Sequence, residues 1–231
     1  MRKSLSLTVV LALVLLTASV ASAQSFSVFG GMGYGSMTHS LKVSNVENGS
    51  SGSAMVLQVA GVFNVTGNFG VGLLVDRVAA NSTQVNPQST LSTSYALTGL
   101  NAIAVYGFDV AGIDVDVFGG VGSYGYADSA EITITDGVTK ESVVRNTKTD
   151  RRALGYIGGA QVKAPVVSDL YLTGTFAYRS VRWSEGKLNV SLREVYEDPT
   201  GKDQSYDEAE VKFQSLGFGG WSLGLGLSYE F

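Results

Sequence analysis

The stretch that decides the fold is residues 221–231, Trp221-Ser222-Leu223-Gly224-Leu225-Gly226-Leu227-Ser228-Tyr229-Glu230-Phe231, in which large apolar side chains alternate with small or polar ones. This period of two is that of a β-strand, whose successive side chains point to opposite faces, and differs from the 3.6-residue period of a helix. The apolar face carries aromatic residues at both ends. This division fits a strand with lipid on one side and a narrow barrel interior on the other.

Seven upstream segments show a similar alternation and are each about ten residues or more, the length that a tilted strand needs to cross a bilayer. They are 26–38, 54–65, 69–80, 95–108, 113–126, 154–163 and 170–181. With residues 221–231 they make eight predicted strands. The outward side chains are predicted to be Phe26, Val28, Met32, Tyr34, Met55, Leu57, Val59, Phe63, Phe69, Val71, Leu73, Val75, Ile113, Val115, Val117, Val121, Leu170, Leu172, Phe176 and Tyr178.

The fourth segment has two possible outward faces, because both of its faces are apolar. One alternative places Leu97, Ile103 and Val105 toward lipid, and the other places Leu100, Ala102 and Tyr106 there. A soluble sandwich would also have about eight alternating strands. We prefer the barrel, because a soluble protein would not place aromatic residues at both ends of its exposed faces.

The connections between these segments alternate in length. Those at 66–68, 109–112 and 164–169 are short, and those at 40–53, 81–94, 127–150 and 182–210 are long. Outer-membrane barrels have short periplasmic turns and long extracellular loops, so the pattern predicts an antiparallel up-and-down transmembrane β-barrel.

The two longest loops are predicted to continue as hairpins above the membrane. In one, 132–135 and 143–144 flank Asp136-Gly137, and in the other, 188–196 face 206–213 across Pro199-Thr200-Gly201. Trp183 is expected near the outer interface or just above it.

The first 23 residues predict a secretory signal peptide. Arg2-Lys3 is followed by an apolar run over 9–16 and then by Ala21-Ser22-Ala23, the charged, hydrophobic and small-residue order of such signals. We expect cleavage after Ala23, which leaves 24–231 as the barrel domain. Beyond Ala23 no stretch approaches the about 20 consecutive apolar residues of a transmembrane helix.

The composition excludes several other classes of protein. The chain has no Cys and one His, so it offers neither a disulfide framework nor a structural zinc site, and no metal ligands or cofactor site are predicted. Its 16 Lys and Arg against 20 Asp and Glu give a net charge of −4, which lacks the basic character of a nucleic-acid-binding protein.

The signal peptide, the eight alternating segments and the terminal Leu227-Ser228-Tyr229-Glu230-Phe231 together resemble the small eight-stranded outer-membrane barrels of the opacity-protein and OmpX/Ail type, within the OmpA-like superfamily. The final Phe231, with Trp221 and Tyr229 in the same phase, is similar to the signal that these proteins present to the barrel-assembly machinery. The resemblance implies a location in the Gram-negative outer membrane, with membrane lipid and lipopolysaccharide as surroundings. The subfamily is left open by the loops.

The inward phase predicts a polar network inside the barrel. Its members are Gln58, Asp114, Asp116, Gln161, Lys163, Arg179 and Glu230. Barrel interiors commonly neutralise such groups as ion pairs, because an unpaired buried charge is costly. We expect Lys163 to pair with Asp114 or Asp116 on the neighbouring strand.

Three functional hypotheses follow. The first is a non-enzymatic surface barrel whose long third and fourth loops bind an extracellular partner or serve the envelope structurally. The second is a narrow pore, although eight strands enclose an interior just wide enough for side chains to fill. The third is an enzyme that modifies lipid A through His39, Ser40 and Asp76, which is the weakest because one His beside one Ser rarely makes a catalytic site.

Overall fold

A computed structural model describes residues 25–43, 46–86, 89–136, 139–196 and 204–231. All of its regular structure is β-strand. The strands are β1 (Ser25–Val43), β2 (Val46–Asn64), β3 (Phe69–Asn86), β4 (Ser89–Val110), β5 (Ile113–Asp136), β6 (Thr139–Thr149), β7 (Ala153–Val167), β8 (Leu170–Trp183), β9 (Gly186–Tyr196), β10 (Gln204–Phe213) and β11 (Ser215–Glu230). The predicted signal peptide, 1–23, and Gly137, Pro199, Thr200 and Gly201 of the predicted turns lie outside the described residues. None of the described segments is a helix that could cross a membrane.

Eight of these strands form a closed antiparallel ring. The order is β5-β4-β3-β2-β1-β11-β8-β7, and the pairing of β5 with β7 closes it. Each of the eight predicted segments lies in one of these strands to within one residue, so the predicted eight-stranded antiparallel barrel is confirmed. The short connections are tight turns. Ala111 and Gly112, with φ of 56° and 86°, form one of them, a conformation that favours glycine.

The other three strands continue the barrel wall upward. β6 leads into β7 across 150–152, β8 leads into β9 across 184–185, and β10 leads into β11 at Gln214. Above the ring, β6 pairs with the upper part of β5, β9 with β6, and β10 with β9. The predicted hairpins 132–144 and 188–213 are confirmed, and they form one extracellular sheet instead of two separate loops.

The first two long connections differ from the prediction. The sequence predicts loops at 40–53 and 81–94, but most of these residues extend β1, β2, β3 and β4. β1 pairs with β2 up to Val43 and Val46, and β3 pairs with β4 up to Asn86 and Ser89. Strand pairing therefore persists well beyond the apolar band, because the hairpins continue to satisfy their backbone groups in water.

The outer face of the ring is apolar between two aromatic belts. The upper belt consists of Tyr34, Tyr156, Tyr178 and Trp221, and the lower belt of Phe26, Phe63, Phe69, Tyr106, Phe108, Tyr229 and Phe231. Trp221 and Tyr229 are eight residues apart, which is about 20 Å along the axis for a strand tilted by about 40°. This height agrees with the about 25 Å apolar band of outer-membrane barrels.

The ambiguous fourth segment is resolved by the structure. Leu100 and Tyr106 are exposed on the outer face, whereas Leu97 and Ile103 are buried in the interior. Both faces are apolar because the interior has an apolar core of its own at this height. Trp183 is also buried inside, at the upper end of the barrel, where its Nε1 donates to the carbonyl of Arg151 at 2.9 Å.

Candidate functional site

The lower end of the lumen holds an ion-pair cluster. Lys163 on β7 contacts Asp116 Oδ2 at 2.8 Å and Glu230 Oε1 at 2.9 Å. The expected pairing of Lys163 with β5 is confirmed for Asp116. Asp114 lies opposite Lys163 in the register of β5 and β7. The ion pair is instead formed with Asp116, the next inward residue of β5. Two carboxylates thus share one ammonium group in a partly buried site.

The middle of the lumen holds a second polar network, here named the central plug, which consists of Asp76, Asn101, Arg179 and Ser222. Arg179 Nε donates to Asp76 Oδ2 at 3.0 Å, and both side chains are fully buried. Asn101 Nδ2 donates to Asp76 Oδ1 at 3.0 Å, and Arg179 Nη2 donates to Ser222 Oγ at 3.4 Å. The plug thereby joins β3, β4, β8 and β11 across the barrel.

The seven residues of the predicted network therefore do not form one network. Asp116, Lys163 and Glu230 come together, Arg179 belongs to the plug, and Gln161 donates to Thr175 Oγ1 at 3.4 Å. Gln58 is buried, yet its Nε2 has no hydrogen-bond partner among the described residues. The prediction missed Asn101 and Ser222, and it noted Asp76 only beside His39. Asp76 and Arg179 both lie at inward positions and carry opposite charges, and this is the feature of the sequence that could have predicted their pairing.

A cavity of about 170 Å³ lies in the lower part of the lumen, and the ion-pair cluster of Asp116, Lys163 and Glu230 lines part of it. Its lining mixes apolar side chains, including Phe29, Leu74, Ile103 and Phe118, with polar ones, including Gln58, Gln161 and Thr175. Above the plug the lumen is filled by a large apolar core that includes Met37, Val56, Leu97, Tyr124, Val181, Trp183, Leu216 and Phe218. Side chains thus occupy most of the described lumen above this cavity, as expected for an interior that eight strands enclose.

His39 lies in an aromatic cluster above the apolar band. Its ring centroid is 4.8 Å from that of Phe218, 5.9 Å from that of Tyr126 and 6.4 Å from that of Tyr95. Burial lowers the pKa of His39, and the negative charge of Asp128 partly opposes this shift. The side chain thus favours its neutral form among these rings.

The three residues of the enzyme hypothesis have separate contacts. Asp76 is bound by Arg179 and Asn101, and His39 Nε2 is buried without a hydrogen-bond partner in the described part of the chain. No hydrogen bond of the described residues joins His39 to Ser40 or Asp76. The described ranges also hold no group of three or more acidic or histidine side chains placed to bind a metal ion.

The extracellular sheet is tied to the top of the barrel where the strands bend. The backbone N–H of Asp150 donates to the carbonyl of Lys187 at 3.1 Å, and the N–H of Lys187 donates to Asp150 Oδ1 at 3.1 Å. The N–H of Gln214 donates to the carbonyl of Lys42 at 2.8 Å. These bonds, with that of Trp183 to Arg151, hold the sheet on the barrel instead of leaving it as free loops.

β10 is the edge strand of this sheet. It pairs with β9, and no strand of the described residues pairs along its other side. Its register shifts between Tyr206 and Ala209, the kind of irregularity that natural proteins place at sheet edges. The molecule therefore presents an extended sheet edge above the membrane.

No family model matches this chain, and no curated protein matches it in sequence. Several solved outer-membrane proteins are similar in structure. A major outer membrane protein of Thermus thermophilus is 16% identical with a TM-score of 0.48, over 87% of this chain and 99% of that one. Ail of Yersinia pestis is 13% identical with a TM-score of 0.42, over 90% of this chain and 99% of that one. OprG of Pseudomonas aeruginosa is 11% identical with a TM-score of 0.43, over 91% of this chain and 97% of that one.

These likenesses are of overall architecture, and at such identities they assign no activity to this chain. The class of protein follows instead from the molecule itself. A closed ring of eight antiparallel strands with an apolar outer band between two aromatic belts is a transmembrane β-barrel.

Proposed function

We propose that this chain is a non-enzymatic outer-membrane protein whose barrel does not conduct and whose extracellular sheet binds a partner at the cell surface. The observation that carries the proposal is the contrast between the two halves of the molecule. The lumen is filled by the central plug and the apolar core above it, while the strands continue past the membrane as an anchored sheet with an open edge. A rigid scaffold that presents an accessible surface is the usual arrangement of a binding protein.

The mode of binding that this surface favours is strand addition. Away from its lower end, where β10 lies beside β1, the unpaired side of β10 offers backbone N–H and C=O groups that a partner segment in extended conformation can pair with. The side chains on the sheet would then select the partner. The envelope-structural alternative requires no such accessible edge, since a closed barrel already satisfies its own backbone.

Export and assembly complete the proposal. The predicted signal peptide directs export, and β11, with Trp221, Tyr229 and Phe231 exposed on its outer face, is the strand that we expect the barrel-assembly machinery to engage. Lipids of the outer membrane then surround the apolar band.

The test is a trimmed variant in which a short turn joins Trp183 to Ser215 and replaces the strands β9 and β10. These two ends lie next to each other, because Trp183 pairs with Leu216. Both proteins are produced on a Gram-negative host that lacks its own small barrels, and folding is checked by heat-dependent gel mobility. We expect adhesion of the host to animal cells or to matrix-coated surfaces for the full chain only. Equal adhesion by full-length, trimmed and empty hosts would contradict the proposal.

A further inference from the structure

The outer wall of the extracellular sheet carries two adjoining concavities above the apolar band. Both are open to solvent, and their volumes are about 520 Å³ for the lower one and about 730 Å³ for the upper one. They share Arg77, Ala96, Ala127 and Lys148 as lining residues, so they form one continuous recess, here named the wall groove. It runs upward from the membrane surface across β3, β4, β5, β6 and β9.

The lower part of the wall groove is strongly cationic. Arg77, Lys148, Arg151 and Arg152 line it, and all four are exposed. The one acid in its lining, Asp150, accepts from the backbone N–H of Lys187, so the cations outnumber the acid by three. No ion pair of the described residues neutralises any of them. Because the whole chain has a net charge of −4, four unpaired cations in one recess are not a consequence of its average composition. They make the lower groove an anion-binding surface.

One of these cations is fixed in place by the sheet. Arg152 Nε donates to Ser123 Oγ at 2.9 Å, and its Nη2 donates to the carbonyls of Ser123 at 2.6 Å and Thr98 at 3.1 Å. Its guanidinium group therefore lies flat on the outer face of β5 and β4. The donors of Nη1 have no partner among the described bonds and remain available.

The height of these cations matches that of lipid headgroups. Arg77 follows the outward Val75 by one outward position, and Arg152 precedes the outward Leu154 by one. Val75, Leu154 and Leu100 are 48%, 81% and 49% exposed and belong to the upper edge of the apolar band. An acyl chain packed on these side chains would place its headgroup phosphate within reach of Arg77 and Arg152.

The upper part of the wall groove has a different chemistry. Apart from the shared Arg77 and Lys148, and Asp128, which is ion-paired with Arg145, its polar side chains are uncharged amides and hydroxyls. They are Asn81, Ser94, Ser129, Asn146, Asn189 and Ser191. Small alanines lie between them, which leaves the recess open. Amide and hydroxyl groups both donate and accept hydrogen bonds, as the hydroxyl groups of a sugar require.

We propose that the wall groove binds a phosphorylated glycolipid of the surrounding leaflet. Its acyl chains would lie on Val75, Leu100 and Leu154, its phosphate among the four cations, and its sugar on the asparagines and serines above. This inference rests on the proposed function only for the placement of the barrel in a membrane with the sheet outside. The lipid proposal does not depend on an adhesion partner or on a closed lumen.

The experiment compares two variants with the same loss of charge. In the groove variant Arg77→Gln, Lys148→Gln and Arg151→Gln are combined, and the side chains of these three residues make no hydrogen bond or ion pair within the described part of the chain. In the control variant Lys42→Gln, Arg182→Gln and Lys212→Gln remove three cations that do not line the wall groove and form no ion pair among the described residues. Each folded protein is reconstituted in phosphatidylcholine nanodiscs that contain diphosphoryl lipid A, and the lipid that it retains is counted by native mass spectrometry.

We expect the groove variant to bind diphosphoryl lipid A roughly 100-fold more weakly than wild type, since each cation near an anionic surface contributes about fivefold. The control variant should bind it about as well as wild type. An equal loss of lipid A binding in both variants would mean that only the net charge matters, and it would refute the wall groove as the binding site.

Two further lipids separate the phosphate from the sugar. Phosphatidylglycerol carries a phosphate without a sugar and should be retained less than lipid A, and Asn146→Ala with Asn189→Ala should weaken lipid A binding but not phosphatidylglycerol binding. If both lipids were retained equally, or if inorganic phosphate alone competed with lipid A, the assignment of a glycolipid as the ligand would be refuted. A conducting barrel or absent adhesion would contradict the proposed function and leave these lipid results unaffected.

Discussion

Removing one partner of the buried ion pair of Arg179 and Asp76 should cost more stability than breaking any other polar contact of the described lumen. Its atoms are 3.0 Å apart and both side chains have no exposed surface. Coulomb attraction at that distance is about 5 kcal/mol for an effective dielectric constant of about 20. The change Asp76→Asn keeps the volume and one acceptor oxygen but leaves the guanidinium charge uncompensated. We therefore expect the free energy of unfolding to fall by about 3–5 kcal/mol.

The assay is urea unfolding from phospholipid vesicles, followed by the fluorescence of Trp221 on the lipid face and Trp183 in the core. A double variant, Asp76→Leu with Arg179→Met, removes both charges and is the matched control, because apolar replacement of a whole buried pair is often nearly neutral. The double variant should be more stable than Asp76→Asn alone. A loss of less than about 1 kcal/mol in Asp76→Asn, with no recovery in the double variant, would refute the plug as an ion pair.

Three further outcomes are expected from the same unfolding assay. Lys163→Met should lower the free energy of unfolding by about 1–3 kcal/mol, because Asp116 and Glu230 lose their shared cation; an unchanged value would show that water screens both carboxylates. Gly35→Ala should destabilise far more than Gly30→Ala, since an added Cβ at Gly35 would collide with the carbonyl oxygen of Trp221, whereas at Gly30 it meets nothing within 4 Å. Equal effects would contradict the close approach of β1 and β11. Burial lowers the pKa of His39 below its ordinary 6.5, so the unfolded chain takes up a proton at a higher pH than the folded one. The free energy of unfolding should therefore fall as the pH drops below about 6.5. A His39→Gln variant with the same pH dependence would exclude His39 as the cause.

The sequence was sufficient for the barrel because lipid and lumen impose opposite demands on alternate side chains. In β11 and β3 the two faces differ in polarity or size, so the outward phase of Leu223 or Val75 could be predicted from the sequence alone. In β4 the inner face is apolar as well, since Leu97 and Ile103 pack into the interior core. Alternation alone could not distinguish the two faces there.

The contacts inside the lumen could be predicted only in part. Lys163 and Asp116 lie on neighbouring strands, so their pairing follows from phase and height. Arg179 and Asp76 lie on strands that are not neighbours in the sheet, and their contact depends on the diameter and stagger of the closed ring. Those quantities are set by all eight registers together.

The extracellular sheet was predicted as two hairpins and not as one surface. The pairing of β6 with β9 joins segments that are about 50 residues apart, and the polar sequence there has little alternation to fix a register. For the same reason the wall groove, which needs side chains from five strands on one face, has no local signature.

The central claim is that the lumen is closed and that function lies on the extracellular side. Planar-bilayer recording of the folded, full-length barrel tests it most directly, with heat-dependent gel mobility as the check on folding. The closed plug and the apolar core above it predict no discrete current steps at any voltage that the bilayer tolerates. Reproducible single-channel steps from the wild-type barrel, abolished when Arg179 or Asp76 is replaced, would contradict the claim and place the function in the lumen.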